Sequence, residues 1–394
     1  MLNSQTMQHQ FYLIVPLGLE VLAISEFTEK WTLLFKQSPL PLLKESHGGV
    51  TFTALLEEAV ILNHYLKTPT RLLLRFAEFK ARDFPKLYNK LCKLPWNLFL
   101  RGQIPELEFS SKESRIFDSR KVEKVLTDAL RFFYKAQPPK KIHLENLDSL
   151  PTQKIYIRFE NDTCTVSIDT TGERLERRGY RTHVGEASLR GSLASGLLLA
   201  LKNELKNEAG EELTLIDPMC GSGTFLFESA LYYAPSPRQD FSYLFFPYLS
   251  KRLPFQAVPL KEKGLFSFHH GKDLDEQILK AAIHNREEAK LTHDQIEFSK
   301  EDLFLGETSS TQTNAIICNP PYGERLNPGE IDKEFFEQML QAINSKYNPL
   351  AIGLLFPVDF GTPKSPSSYT LKKTFNLSNG GLKVQFLIWK KRSL

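Results

Sequence analysis

The chain has 394 residues, 41% of them hydrophobic and 24% charged, with 50 Lys and Arg against 46 Asp and Glu. This is an ordinary globular composition, too long for one compact core, and the length predicts about two or three domains. Apolar runs such as Leu197-Leu198-Leu199-Ala200-Leu201 are far too short for a bilayer span, and the N-terminus lacks a basic-then-apolar signal pattern, so a cytoplasmic protein without a membrane partner is expected.

Cys92, Cys164, Cys220 and Cys318 are scattered without a C-x-x-C pair, and the nine histidines lack ligand spacing. A disulfide framework is excluded, and no metal is expected. The charge is uneven. Residues 1–200 carry 28 basic against 22 acidic side chains, and the remainder 22 against 24. From Lys67 to Arg101 nine basic residues face only Glu78 and Asp83, which suits a polyanion, although a solvated helical face accounts for the charge nearly as well.

In chain order, Phe11–Val15 reads as a strand, Leu19–Trp31 as an amphipathic helix, Val50-Thr51-Phe52 as a strand and Leu55–Tyr65 as a helix, together a small α+β unit. Leu72–Phe76 predicts a strand, Phe84–Leu94 a helix, Glu106–Ser110 and Lys154–Phe159 strands, and Arg120–Tyr134 a helix between them. Residues 169–195 form a basic, glycine-punctuated connector, and a helix follows at about Leu189–Glu208.

From there strands and helices alternate. Strands are expected at Leu213–Ile216, Leu265–His269, Ile296–Phe298, Ala315–Cys318 and Ala351–Phe356, with helices from Thr224, at Asp275–Leu291 and at Lys333–Ser345. Such alternation predicts a doubly wound, mostly parallel sheet with ligands at the carboxyl ends of its strands. Leu382–Trp389, paired with Ser368–Lys373, predicts a C-terminal antiparallel hairpin.

Three of those strand ends carry chemistry. Asp217-Pro218-Met219-Cys220-Gly221-Ser222-Gly223-Thr224 turns from the first strand into a helix, with glycines that let the backbone approach a ligand. The spacing is neither G-x-G-x-x-G nor a P-loop, so no pyrophosphate is required. After the second strand, Asp273 is placed to accept ribose hydroxyl protons, whereas Asp275 suits a helix cap. After the third, Asp302 offers a carboxylate for an adenine amine beside Leu303 or Phe304; a plain loop carboxylate is its alternative.

Asn319-Pro320-Pro321-Tyr322 ends the buried run Ala315–Cys318. The Asn319 side-chain oxygen and the Pro320 carbonyl can accept hydrogen bonds from a conjugated amine as it pyramidalises, and Tyr322 offers a flat face for a planar substrate. An ordinary Pro-Pro turn after a core strand is the bland alternative.

Together these motifs resemble the ordered set of class I S-adenosylmethionine-dependent methyltransferases, and Asn-Pro-Pro-Tyr resembles the amino-methyltransferases. Cys318 precedes this motif and reads as a core thiol, which argues against carbon methylation of pyrimidines. Residues 11–20, 48–52, 70–75, Pro95-Trp96, Ser111-Lys112-Glu113-Ser114, Arg178-Gly179-Tyr180-Arg181 and Glu186–Arg190 look like the THUMP-containing rRNA guanine-N2 methyltransferases.

That resemblance implies a ferredoxin-like subdomain (residues 1–66), a THUMP RNA-binding domain (67–168) and a connector with a Rossmann-like catalytic domain (169–394). It implies S-adenosylmethionine as cofactor, held by Asp217, Pro218, Cys220, Gly221, Ser222, Gly223, Thr224, Asp273, Asp302 and Leu189. Catalysis falls to Asn319, Pro320, Pro321 and Tyr322, and RNA contacts to Arg71, Arg75, Lys80, Arg82, Lys112, Arg178 and Arg181. The implied partner is RNA, large-subunit rRNA first and tRNA as the alternative; a non-catalytic RNA-binding factor is the rival of another class. The aromatic and proline-rich residues 241–260 read as family decoration without an assigned role.

Overall fold

The computed structural model describes residues 8–139, 153–180, 189–206, 212–249, 257–305, 313–321 and 332–392. The first half runs β1 (Gln8–Ile14), α1 (Glu20–Leu34), β2 (Lys44–Ser46), β3 (Gly49–Leu55), α2 (Leu56–Tyr65), β4 (Arg71–Lys80), α3 (Phe84–Leu91), β5 (Glu106–Lys112), α4 (Ser119–Ala136), β6 (Lys154–Glu160) and β7 (Thr163–Asp169). Its strands lie in one sheet, in the order β2-β3-β1-β4-β7-β6-β5.

Local chemistry sets these elements. Asp83 caps α3 by accepting from Lys86 N–H at 2.7 Å, and Asp118 caps α4 by accepting from Lys121 N–H at 3.1 Å. The β6–β7 hairpin, absent from the sequence reading, turns on Asn161 and Asp162, both at positive φ (49° and 58°). Two adjacent Asn/Asp residues with that conformation are what a two-residue hairpin turn demands. Backbone hydrogen bonds cross the expected boundary at residue 66, since β4 pairs antiparallel with both β1 and β7.

The second half runs α5 (Gly191–Glu204), β8 (Thr214–Asp217), α6 (Thr224–Ala230), β9 (Phe268–Asp273), α7 (Glu276–Glu288), β10 (Ile296–Lys300), β11 (Asn314–Cys318), α8 (Lys333–Tyr347), β12 (Ala351–Pro357), β13 (Tyr369–Asn379) and β14 (Leu382–Lys391). The sheet order is β10-β9-β8-β11-β12-β14-β13, parallel from β10 to β12, with β14 antiparallel to both its neighbours. This is the doubly wound fold with a C-terminal hairpin that the alternation predicts. The second strand is shifted: it begins at Phe268 rather than Leu265, because Leu265 N–H bonds instead to the Ser229 carbonyl at 3.0 Å.

Helix α5 is buried from Gly191 to Leu201 because it lies between α1 of the first half and α6 and β12 of the second. Around it sits a buried ionic junction. Glu26 pairs with Lys30 at 2.6 Å and accepts from the backbone N–H groups of Lys67 and Thr68, while Lys30 also donates to the Tyr65 carbonyl. Arg178 grips Glu228 of α6 with Nε and Nη2 at 2.7–3.0 Å and donates to the Leu175 and Lys67 carbonyls; Tyr180 and Ser195 hydroxyls donate to the same carboxylate.

Residues 232–249 and 257–260 complete the junction. The Tyr243 hydroxyl lies 2.7 Å from His64 Nε2, the Tyr65 hydroxyl donates to the Val258 carbonyl at 2.8 Å, and Arg101 Nε donates to the Phe245 carbonyl at 2.6 Å. With Phe241, Tyr243 and Phe246 buried, the described part of this aromatic stretch is a strap from α6 back onto the first half.

Candidate active site

The carboxyl ends of β8 and β11 meet where the strand order reverses, since the chain goes from β8 outward through β9 and β10 and returns to β11 on the other side. Ligands of open α/β sheets bind in that crevice. The glycine loop after β8 is tied down at several points: Cys220 N–H donates to the Lys272 carbonyl at 2.9 Å, Gly223 N–H to the Cys220 carbonyl at 2.8 Å, and Gly221 N–H to Asp273 Oδ2 at 2.8 Å. Gly223 sits at φ +85°, and a Cβ there would lie 2.8 Å from the Phe227 ring. Glycine is therefore required both for the backbone conformation and for the close packing.

This stitching opens a cavity of about 690 Å³. Of the residues expected to hold a cofactor, Leu189, Asp217, Pro218, Cys220, Gly221, Ser222, Thr224, Asp273 and Asp302 line it, together with Asn319 and Pro321 from the expected catalytic edge. Gly223 and Pro320 are not on its wall, and Tyr322 lies outside the described residues. Leu303 and Phe304 both line the cavity. Met219, Phe225, Leu274 and Ile278 join them, missed by the sequence reading because lone apolar residues on a loop or helix carry no signal of their own.

The wall is acidic. Asp217, Asp273, Asp275, Glu301 and Asp302 line the cavity, and no Lys, Arg or His does so among the described residues. Burial pushes the Asp217 carboxyl well above its ordinary range, and the negative charge of Asp273 adds to the shift. Two carboxylates held close without a countercharge favour a cationic ligand. Glu301 is the exception: burial would raise its pKa, but hydrogen bonds from Lys272, Lys346 and Tyr347 outweigh that and hold it at about 2. The same Lys346 donates to the Asp302 and Leu305 carbonyls, shaping the loop that presents Asp302. Asp275 caps α7, accepting from Gln277 N–H at 2.8 Å.

Across the crevice, the side-chain oxygen of Asn319 is buried and has no hydrogen-bond partner among the described residues. An unsatisfied buried acceptor costs about 1–3 kcal/mol, so it marks a place where a donor is meant to arrive. Cys318, just before it, is fully buried, and burial pushes its thiol well above the ordinary value, with Asp217 and Asp273 adding to the shift. It is a neutral core thiol, unsuited to nucleophilic attack.

Of the expected RNA contacts, Lys80, Arg82 and Lys112 lie around the β6–β7 turn: Lys80 pairs in register with Thr163, Arg82 reaches Asp162 at 3.0 Å, and Asn161 N–H donates to the Lys112 carbonyl at 3.3 Å. Lys80 and Lys112 are exposed. Arg71 is held by Asp169 and the Gly172 carbonyl, and the Arg75 guanidinium packs 4.3 Å over the Tyr12 ring. Arg178 requires a correction: it is 4% exposed and committed to Glu228, so it braces the interior rather than touching RNA. Its partner lies fifty residues away, beyond the reach of local sequence reasoning. Lys67, counted in the basic run, is likewise buried. Arg181 lies outside the described residues.

Residues 178–357 match the family model described as "RMKL-like, methyltransferase domain". This stretch of the chain belongs to that family. Beyond the methyltransferase domain, the chain is 27% identical over 96% of its length to the ribosomal RNA large subunit methyltransferase K/L of Colwellia psychrerythraea, and spans 52% of that protein. It thus covers about half the length of several curated relatives it matches. A Synechocystis sp. protein provisionally named RNA methyltransferase slr0064 is 28% identical over 96% of this chain and 95% of its own length. The crystal structure of SMU.472 complexed with SAH superposes with a TM-score of 0.75 at 22% identity, over 99% of this chain and 100% of that one, a likeness that speaks for the fold.

The domain's cofactor is S-adenosylmethionine, and the cavity fits it. The acidic wall suits a ligand bearing a sulfonium and an ammonium group, the carboxylate of Asp273 suits ribose hydroxyls, and Leu303 and Phe304 suit a flat ring. When bound, S-adenosylmethionine supplies an electrophilic methyl group.

Proposed function

We propose that this protein methylates the exocyclic N2 amine of a guanine in RNA, with large-subunit ribosomal RNA as the substrate. The observation that carries the reading is the buried, unpartnered Asn319 oxygen on the wall of the same cavity as Asp217 and Asp273. An amine conjugated to a purine ring is a poor nucleophile until its lone pair is localised. Asn319, with the neighbouring Pro320 carbonyl, accepts the two N–H bonds and favours the pyramidal nitrogen. The guanine leaves its stack to reach this edge, at a cost of a few kcal/mol that stacking and backbone contacts within the site offset.

The nitrogen lone pair forms the new N–C bond as the methyl–sulfur bond breaks, and the amine proton passes to solvent. Alignment of the two centres supplies much of the rate. Support for RNA comes from the names of the large-subunit rRNA relatives and from their match across the first half of this chain. A ribosomal substrate implies a cytoplasmic enzyme.

The test is to incubate the protein with methyl-labelled S-adenosylmethionine and, separately, unmodified rRNA and tRNA, then to identify the labelled nucleoside. N2-methylguanosine from rRNA is the expected product. Label in tRNA alone moves the substrate to tRNA, and label on another base overturns the guanine assignment. Asn319→Ala is expected to abolish turnover while SAH affinity stays within about threefold, because its contact is made to the substrate and not to the cofactor.

A further inference from the structure

Arg178 and Lys67 are buried and Arg71 and Arg75 are tied to neighbours, which leaves Lys80, Arg82 and Lys112 of the expected contacts exposed; α4 carries a second, longer row of positive charge. At about 100° per residue, Arg120, Lys124, Arg131 and Lys135 of α4 fall within an arc of roughly 60° that runs about 22 Å along the helix. All four are exposed, and the arc lies opposite the buried Val122, Leu126, Ala129 and Phe133. Helix α3 packs against α4 and adds exposed Lys86 and Lys90, with Lys93 just beyond its end.

Residues 83–94 and 118–136 together hold eight Lys and Arg side chains against four carboxylates, a net +4. The whole chain is also +4, so the rest of the sequence sums to zero. Two of those carboxylates, Asp83 and Asp118, are occupied as helix caps. Asp128 reaches Arg131 only at 3.9 Å with both groups exposed, a pair worth little.

Two exposed rings flank the row, Phe132 resting edge-on against Tyr88 of α3 with ring centroids 6.4 Å apart. Phe117 is 77% exposed although it stands at the position where an apolar residue usually folds back onto the helix, and Phe132 is 55% exposed. Single exposed apolar residues are ordinary on a protein surface; what marks these two is that both are aromatic and both stand beside the row of cations. Unpaired RNA bases stack on such rings while a row of cations follows the phosphates.

We propose that the solvent side of α4, extended by α3, is the surface on which this protein docks the backbone of its RNA, with Phe117 and Phe132 receiving unstacked bases. The proposal rests on the RNA-methyltransferase reading above.

The experiment uses the full chain and an unmodified large-subunit rRNA transcript, with affinity measured by fluorescence anisotropy at several KCl concentrations. Lys124→Glu/Arg131→Glu is expected to weaken binding by ~10-fold or more and to flatten the slope of log affinity against log salt by about one to two units. SAH affinity and the thermal midpoint should stay unchanged. The same charge change at Lys280 and Lys333, exposed on α7 and α8, should cost less than about threefold, since those sites lie off the row. Phe132→Ala should lower affinity without altering the salt slope.

Wild-type affinity and slope in the α4 variant, or an equal loss in the control, with rRNA still methylated, overturns the surface and leaves the methyltransferase reading standing. Normal binding of naked RNA with methylation lost only on ribosomal particles assigns the row to a protein partner and also overturns it. A wild-type protein that neither binds nor methylates RNA removes both readings at once.

Discussion

Asn319 and Asp273 divide the work of the site at the scale of single side chains. Asn319 keeps an oxygen buried without a donor among the described residues, a cost that the amine of the proposed substrate would relieve. Asp273 has two tasks: one oxygen accepts from Gly221 N–H at 2.8 Å, fixing the glycine loop, and the other accepts from Asp275 N–H at 3.0 Å. Its negative charge, facing the cavity, remains for the cofactor. Asp273→Asn removes the charge and turns one of the two acceptors into a donor facing a backbone N–H, so S-adenosylmethionine affinity should fall by roughly 10- to 100-fold or more, the worth of hydrogen bonds to a charged acceptor. Calorimetric titration reads this directly, and unchanged affinity removes Asp273 from the cofactor site. Asn319 was legible because it ends the apolar strand Ala315–Cys318, and Asp273 because an acidic residue follows the second strand of an alternating α/β pattern, where ligands bind.

At the scale of elements, the loop after β10 depends on one carboxylate. Glu301 receives Lys272, Lys346 at 2.9 Å and the Tyr347 hydroxyl at 2.7 Å, joining β9, β10 and α8 beneath the cavity. Its folded pKa of about 2 lies below the ordinary 4.5, so the stabilisation it gives is fully present above pH ~4.5 and fades as pH falls towards 2. Glu301→Gln should therefore cost about 2–3 kcal/mol at pH 7 in urea unfolding, with the gap to wild type narrowing clearly by pH ~3.5. A gap of the same size at both pH values would show that the carboxylate is not held in its charged form. Sequence reasoning placed Glu301 beside Asp302 but had no means of finding Lys346 and Tyr347, which approach from α8.

The molecule as a whole is joined through buried charge and an aromatic strap. Arg178 ties the connector to Glu228 one turn into α6, the helix that starts at the glycine loop, and Lys67 and Tyr65 of the first half are bonded into the same junction. Removing one partner of a buried pair strands the other, so Arg178→Met should cost about 3–5 kcal/mol, whereas Arg178→Met with Glu228→Leu should recover much of it. Urea unfolding of the two variants measures both values; an Arg178→Met protein as stable as wild type would make the junction incidental. Rigid coupling of this kind keeps the first half at a set position relative to the cavity, as the proposed docking of RNA on that half requires.

The order of strands and helices, the glycine loop, Asp217, Asp273 and the Asn-Pro-Pro edge were written in the sequence, because hydrophobic period and backbone-restricting residues act over a few positions. The β6–β7 hairpin was there to read in Asn161-Asp162 and in the alternating Cys164, Val166 and Ile168 that follow, a strand that the sequence reading passed over. Tertiary structure alone decided the rest. It merged strands from both expected N-terminal units into one sheet and set Tyr243 and Val258 against His64 and Tyr65 of α2. It withdrew Arg178 and Lys67 from the surface and left the row on α4 facing solvent. The reason is physical: a charged side chain's role depends on what lies opposite it after folding, and for Arg178 that partner is fifty residues distant.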